Sequence, residues 1–314
     1  MPKVSVIVPV YGVEKYIERC ARSLFEQTLD DMEFIFVDDC TTDESISVLK
    51  NVIKDYPNRV AQTRIFYHEK NMGLPIARQT GIKEATGDFI AHCDSDDWVD
   101  SDMYELMYSN AILENADIAV CDYYHDSGTE KTHITALHTT NKNEYLINLL
   151  YQIDSWAVWN KIVRASLYEG VVYPVNNMGE DMAIMCQLVH KAPKITYCDK
   201  ALYHYFLNPL SITRIIDRDK LLLSFKQAVA NVELVENIFS QCTDEGILRG
   251  IDYLKFRQRN FLIKLLREDK YYKIWNSTFS DINKRIFLDC KIPWKEKFIF
   301  VLLHFRFFRK YYCN

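Results

Sequence analysis

Residues 88–97 read Asp88-Phe89-Ile90-Ala91-His92-Cys93-Asp94-Ser95-Asp96-Asp97. An apolar run of strand length stops abruptly in three carboxylates within four residues. The same grammar recurs upstream. Val4-Ser5-Val6-Ile7-Val8-Pro9-Val10 is a β-branched run leading into Tyr11, and Glu33-Phe34-Ile35-Phe36-Val37 ends in Asp38-Asp39. Arg64–His68 and Ile118–Cys121 add two shorter strands. Between the strands lie stretches with helical character, at Glu14–Gln27, Leu74–Ala85 and Ser101–Asn115. A further helix through Lys54 is expected to open on a capping box formed by Thr41 and Glu44. Apolar strands alternating with helices of this length predict an α/β fold, a parallel sheet covered on both faces. In such sheets ligands bind at the carboxyl ends of the strands, where this chain gathers its polar residues. These residue types also serve as caps and turn formers, and Asp43 suits that plainer role.

The carboxylates at 94–97 repel one another unless a cation or a donor group neutralises them. An EF-hand is excluded, because Trp98 and Val99 stand where an oxygen ligand and a glycine are required. A Mg²⁺ or Mn²⁺ ion shared with ligand phosphates fits a small set of hard oxygen donors better. No GxGxxG follows the first strand and no GxxxxGK[ST] occurs, which disfavours a dinucleotide oxidoreductase and a P-loop nucleotidase. A bound nucleotide must then use Asp38 or Asp39 for base or ribose, with a metal at the diphosphate.

Composition agrees with a folded body. The chain has 314 residues, 48% hydrophobic and 26% charged. It has no run of the ~18 apolar residues that a bilayer-spanning helix needs. Its start runs directly into a strand without the pattern of a secretory signal, so a cytoplasmic protein is expected. Nine scattered cysteines, none in a CxxC pair, suit a reducing compartment. The net charge of −5 conceals an asymmetry, −12 over residues 1–125 and +7 over 126–314. An acidic first half is a poor nucleic-acid surface, so no nucleic acid is expected as a partner.

Five motifs in order across the first hundred residues resemble the family 2 glycosyltransferases of the GT-A fold: Val6-Ile7-Val8-Pro9-Val10-Tyr11 with Glu14, Phe36-Val37-Asp38-Asp39-Cys40-Thr41-Thr42-Asp43, Asn71-Met72-Gly73-Leu74-Pro75-Ile76-Ala77-Arg78, Gly87-Asp88-Phe89-Ile90, and Asp94-Ser95-Asp96-Asp97. Trp159-Asn160-Lys161-Ile162, Gly179-Glu180-Asp181 and Tyr203-His204-Tyr205 leading to Ser211-Ile212-Thr213 extend it. The resemblance implies a Rossmann-like, mostly parallel sheet in a catalytic domain over 1–215. Residues 1–122 would be its nucleotide-binding half and 123–215 its acceptor-binding half. A helical region over 216–290 and a basic aromatic tail over 291–314 would follow.

The resemblance also implies an inverting, metal-dependent transfer from a nucleotide-diphosphate sugar, a UDP-sugar above all. The acceptor would be a glycan or a polyprenyl-linked glycan. Pro9, Tyr11, Glu14, Asp38, Asp39 and Asn71 would surround the nucleoside. Arg78 would lie near the diphosphate, and Asp94, Ser95 and Asp96 would hold the donor, with Asp94 and Asp96 as ligands of Mn²⁺ or Mg²⁺. Asp97 would assist, and Asp181 would be the general base. Trp159, Asn160, Lys161 and Glu180 would face the acceptor, although buried aromatics are equally ordinary core. His204 reads as a hydrogen-bonded core or loop histidine. Three positions depart from the family pattern: Gly12 where many members carry Asn, Cys40 where many carry Gly, and Phe206 where Arg is frequent. A nucleotide-binding scaffold without activity and a sugar-phosphate nucleotidyltransferase remain as alternatives.

The tail sets Lys291, Lys295, Lys297, Arg306, Arg309 and Lys310 among Trp294 and many phenylalanines, with Glu296 as its one acid. Such a segment can lie in the interface of an anionic membrane or pack on the body. The first reading makes the protein peripheral on the inner face of the cell membrane.

Overall fold

The computed structural model describes residues 1–139, 141–208 and 217–305. Strands β1 (Val4–Val10), β2 (Met32–Asp38), β3 (Thr63–Tyr67) and β4 (Phe89–His92) pair in parallel in the order β3-β2-β1-β4. The sheet continues through β8 (Lys161–Arg164), β6 (Ile118–Asp126), β9 (Ile195–Phe206) and the short β5 (Trp98–Val99), with β7 (Lys131–Ile134) on the side of β6. β8 runs antiparallel between β4 and β6, whereas β9 is parallel to β6. Six of these strands therefore run the same way, and the mostly parallel α/β architecture stands.

Period-two alternation sorts β1 between two cores. Val4, Val6, Val8 and Val10 pack with α1 (Ile17–Phe25), α2 (Ser45–Asp55) and α4 (Met103–Leu113). Ile7 faces the opposite core with α5 (Lys142–Leu150), α6 (Glu180–Lys191), α7 (Arg218–Ile238) and α8 (Glu245–Gln258). α3 (Leu74–Glu84) lies against β1 and β2, so close at Gly81 that a Cβ there would stand 2.4 Å from Ile7 Cγ2. A third core joins Tyr253, Phe256, Trp275 and Phe300. It links α8 to α9 (Asp269–Ser277), α10 (Asn283–Leu288) and α11 (Trp294–His304).

Three local expectations are corrected. The first helix begins at Ile17, because Tyr16 and Ile17 both turn their N–H groups onto the Val13 carbonyl and Glu14 stays exposed outside it. No capping box forms from Thr41 and Glu44. Instead Asp43 Oδ1 accepts from the Ser45 N–H (3.1 Å), the Ser45 hydroxyl (2.5 Å) and the Thr41 hydroxyl (2.7 Å), the turn-forming role. Asp43 competes successfully because its shorter side chain closes an Asx turn two residues on. The last strand of the first half runs five residues beyond Cys121, to Asp126, bending with register shifts around Asp122. In the helical region after residue 216, Asp217 and Asp244 each cap a helix by accepting from two backbone N–H groups. Ser211-Ile212-Thr213 and the basic residues Arg306, Arg309 and Lys310 lie outside the described residues.

Candidate active site

The end of β4 and the start of α6 meet on one buried guanidinium. Arg78, on α3, is 1% exposed and touches three acids. Its Nη2 donates to Asp94 Oδ1 at 2.9 Å. Its Nε lies 3.2 Å from Glu180 Oε1, and its Nη1 lies 3.4 Å from Asp181 Oδ1. Only the Asp94 contact is aligned as a hydrogen bond, so the Glu180 and Asp181 oxygens at Arg78 keep unspent accepting capacity. Burial works against the Arg78 charge, but the three carboxylates outweigh it and push its pKa up. The acids remain in excess. Burial lifts the Asp94 carboxyl to about 6; Arg78 opposes that rise, and Asp181 and Asp96 reinforce it. Burial likewise drives Glu180 well above the ordinary carboxylate range against the pull of Arg78. Glu180 is enclosed, whereas Asp181 keeps 30% of its side chain open to solvent. Gly179 makes this start possible. It precedes α6 at φ 82°, in the left-handed region, which a glycine enters without a Cβ clash.

Around the strand end, Tyr203 of β9 ties the acidic turn together. Its hydroxyl accepts from the Asp94 N–H at 3.1 Å and donates to Asp97 Oδ2 at 2.6 Å. Asp97 also accepts from the Phe206 N–H at 2.7 Å and is wholly buried. Burial raises its pKa well above the usual range, and Asp94 and Asp96 act in the same direction. Asp97 is thus a buried brace of the turn. Asp96 accepts from Asn208 Nδ2 at 3.0 Å. Arg19 donates to the Asp96 carbonyl at 3.0 Å, with its guanidinium 3.5 Å above the Trp98 ring and 4.8 Å from that of Phe206. An arginine does reach this corner, then, from α1 rather than from position 206. Ser95 is buried in the same turn. His204 stacks on Trp98 and sits between Asp100 (3.1 Å) and Asp126 (3.2 Å), a hydrogen-bonded interior histidine.

At the ends of β1 and β2, Asp38 Oδ1 accepts from the Thr41 N–H at 2.8 Å. Asp39 accepts from the N–H groups of Met72 (2.7 Å) and Gly73 (2.8 Å) and pairs with His68 at 2.7 Å. Asp39 therefore anchors the 71–73 loop, on which Asn71 is exposed. Pro9 is buried within β1, and Tyr11 stands out in solvent beyond it. Glu14 accepts from the Glu44 N–H at 3.2 Å. The two unusual residues of this corner share a backbone conformation, Gly12 at φ 68° and Cys40 at φ 59°. Asn and Gly, frequent at these positions in the resemblance, are the residues that tolerate it best.

The structure puts Arg78, Trp159, Asn160 and Lys161 in places the motifs alone did not suggest. Arg78 is enclosed among acids instead of facing open space. Trp159 stacks on Tyr203 at 4.3 Å and Tyr205 at 5.6 Å inside the core. Asn160 bonds to the Cys121 carbonyl at 2.9 Å. Lys161 donates to Ser155 O (3.1 Å), Ala157 O (2.8 Å) and Asn160 Oδ1 (2.8 Å). Burial draws the pKa of Lys161 down to about 8. Trp159 thus backs Tyr203, and the Asn160 and Lys161 side chains spend their polar atoms within the chain. Tyr203, Arg19, Asn208 and His68 had not been singled out as site residues. Of these only Tyr203 lay in a quoted motif; the others owe their place to tertiary contacts.

Among the described residues no group of three or more His, Cys, Asp or Glu side chains is arranged to hold a metal by itself. The model of the family described as Glycosyl transferase family 2 matches residues 5–168. The uncharacterized glycosyltransferase EpsJ of Bacillus subtilis (strain 168) is 35% identical over 225 residues, covering 68% of this chain and 64% of that protein. Glycosyltransferase GlyA of Streptococcus pneumoniae serotype 4 (strain ATCC BAA-334 / TIGR4) is 30% identical over 227 residues, 68% of this chain and 32% of that one. The match thus spans less than two thirds of the length of these curated relatives. In fold, the chain is similar to residues 1-349 of S. aureus TarS in complex with UDP-GlcNAc, with a TM-score of 0.58 and 20% identity over 84% of this chain and 83% of that one. Mannosyltransferase PcManGT of Pyrobaculum calidifontis, solved with GDP-Man and Mn²⁺, gives a TM-score of 0.58 at 15% identity, over 83% and 72% of the two chains. With motifs, fold and family match in agreement, the chain belongs to glycosyl transferase family 2.

Proposed function

We propose that this chain transfers a hexosyl or N-acetylhexosaminyl residue, with inversion, from a nucleotide-diphosphate donor to a hydroxyl of a glycan or lipid-linked acceptor. UDP-sugar is the first donor to test, and cell-surface polysaccharide synthesis at the inner face of the membrane is the setting. The observation that carries the reading is the convergence of Asp94 and Asp181 on Arg78. A strand-end acid suited to the donor and a half-open acid suited to the acceptor are held together by one cation. The nucleotide sugars in the TarS and PcManGT structures support a donor of this class.

In this reading Asp181 takes the proton of the incoming hydroxyl while its oxygen bonds to the anomeric carbon and the bond to the diphosphate breaks. A single displacement with one base inverts the centre, and such proton transfer contributes about 10²–10⁴-fold in rate. Arg78 orients Asp181 through the contact at its Nη1, and the enclosed Glu180 lies against the Nε of the same guanidinium. Asp94 and Asp96 are hard oxygen donors, and Asp94, lifted to about 6 by burial with Asp181 and Asp96 adding to the rise, gains from a divalent cation beside it. Mn²⁺ or Mg²⁺ held there would neutralise charge on the departing diphosphate. Tyr11, Asp38, Glu14 and Asn71 are the candidates for contact with base and ribose.

Asp181→Asn tests the assignment. It is expected to bind UDP with Mn²⁺ as wild type does in calorimetry and to lose at least about a hundredfold in turnover. Normal turnover by this variant would overturn Asp181 as the base. Loss of metal-dependent UDP binding in Asp96→Ala is the matching expectation for the donor site.

A further inference from the structure

Helix α11 is apolar on two opposite sides. Its inner side buries Phe300 and Leu303, with Phe300 packed on Trp275 at 5.3 Å and Phe256 at 5.5 Å. At 3.6 residues per turn, Trp294, Phe298 and, just past the helix end, Phe305 fall on one line directly opposite. They are 71%, 54% and 62% exposed. Val301 and Leu302 flank this line, and Lys295 and Lys297 border it on either side. Leu288, at the end of α10, adds another exposed side chain. Large apolar groups in such an array mark an interaction surface, whereas single exposed ones need no explanation.

Charge decides what the surface meets. Residues 283–305 hold five basic side chains and two acids, Asp289 and Glu296. Both acids turn inward. Asp289 is buried against the Tyr151 hydroxyl, and Glu296 pairs with Arg257 at 3.6 Å and accepts from Tyr253 at 3.4 Å. Lys284, Lys291 and Lys295 remain exposed. A second copy applying the same face would bring like charge onto like charge. A bilayer rich in anionic lipid answers both features, since aromatic rings settle at the headgroup boundary while lysine stems carry their charge to lipid phosphates. No helix among the described residues is long and apolar enough to cross a membrane.

The geometry points to the outer face of α11 as a peripheral docking surface for an anionic membrane, with Trp294, Phe298 and Phe305 as the inserting side chains and Lys291 and Lys295 as the electrostatic contacts. The face presents three rings in line, which orients the body against the lipid plane. This inference stands apart from the transfer reaction and needs neither donor nor acceptor.

The test is co-sedimentation of the full chain with two kinds of vesicle, one of phosphatidylcholine alone and one with roughly a third phosphatidylglycerol. Wild type is expected to sediment with the anionic vesicles only and to be released by about 0.5 M NaCl, where screening is strong. Trp294→Ser/Phe298→Ser and Lys291→Glu/Lys295→Glu are each expected to weaken binding about tenfold or more. All four positions are exposed, so an unchanged melting temperature serves as the folding control. Equal binding of both variants and wild type, or no binding to anionic vesicles, overturns the inference. So does concentration-dependent dimerisation abolished by Trp294→Ser/Phe298→Ser, which would make a second copy the occupant. UDP affinity, measured separately, is expected to be the same in all three proteins.

Discussion

Two arginines, Arg78 of α3 and Arg259 just after α8, are equally buried, and their surroundings differ completely. Arg78 is oversupplied, with Asp94, Glu180 and Asp181 within ion-pair distance. Arg259, in the aromatic core of the helical region, has no carboxylate within ion-pair distance among the described residues. It donates to Asn283 Oδ1 at 2.7 Å and to the Phe279 carbonyl, between the rings of Trp275 and Phe300. The pKa of Arg78 rises; burial pulls that of Arg259 down to about 10. A guanidinium that only fastens a fold can make do with neutral acceptors. One surrounded by more acid than it can neutralise sits in a place kept ready for another positive or proton-donating group. Arg259 also has a clear structural task, since its partner Phe279 is held at φ 50°, a conformation a bulky side chain rarely takes.

The comparison is open to attack, most heavily at Arg78 itself. Arg78→Met leaves three carboxylates facing one another, and a loss of about 3–5 kcal/mol in denaturant unfolding is expected, together with loss of transfer activity. Arg78→Lys should recover little of either, because a single ammonium nitrogen cannot reach three acids that meet Nη2, Nε and Nη1 of the guanidinium fork. Arg259→Met should cost less, about 1–3 kcal/mol for the lost bonds to Asn283 Oδ1 and to a Phe279 carbonyl that still accepts from the Ile282 N–H, and leave donor affinity unchanged. If Arg259→Met proved the costlier substitution, the contrast would fail. The smallest effect sharpens the picture of excess acid. Asp94 titrates at about 6, above the ordinary carboxylate value, so the native site holds its proton more tightly than the unfolded chain does. Above that pH the carboxylate is free for a cation, and below it the proton competes. Affinity for Mn²⁺ with UDP should therefore fall by up to about tenfold per pH unit below 6. A calorimetric series from pH 5 to 7.5 checks this, and a flat profile would remove Asp94 from the metal site.

What was legible in the chain follows from range. β1, β2 and β4 announce themselves because burial on both faces makes their side chains apolar in succession, and the acids that end them are neighbours in sequence. Glu180 and Asp181 were visible as a pair but not as partners of Arg78, which comes from a helix far earlier in the chain. Trp159-Asn160-Lys161 reads equally as a sugar platform or as core, because a tryptophan beside polar residues has the same composition in both. The ring stack with Tyr203, far along the chain, and the Lys161 bonds to three oxygens favour the braced core, and the stack could not be read locally. The capping box failed for a similar reason. Thr41 and Glu44 have the right spacing, but Thr41 also serves the Gly12 N–H at 2.9 Å and Glu44 the Glu14 carboxylate.

The close contact at Gly81 has a consequence for how this protein tolerates change. Gly81 lies one turn from Arg78 on α3, and an added methyl would meet Cγ2, Cγ1 and Cβ of Ile7, a branched residue locked in a central strand. Neither side can yield by rotating, so the helix itself must lift and carry the guanidinium with it. A saturation screen for transfer would then score Gly81 among the intolerant positions of the reaction, although it touches no reacting atom. Change in this chain can therefore be arrested by a missing carbon as firmly as by a charged group.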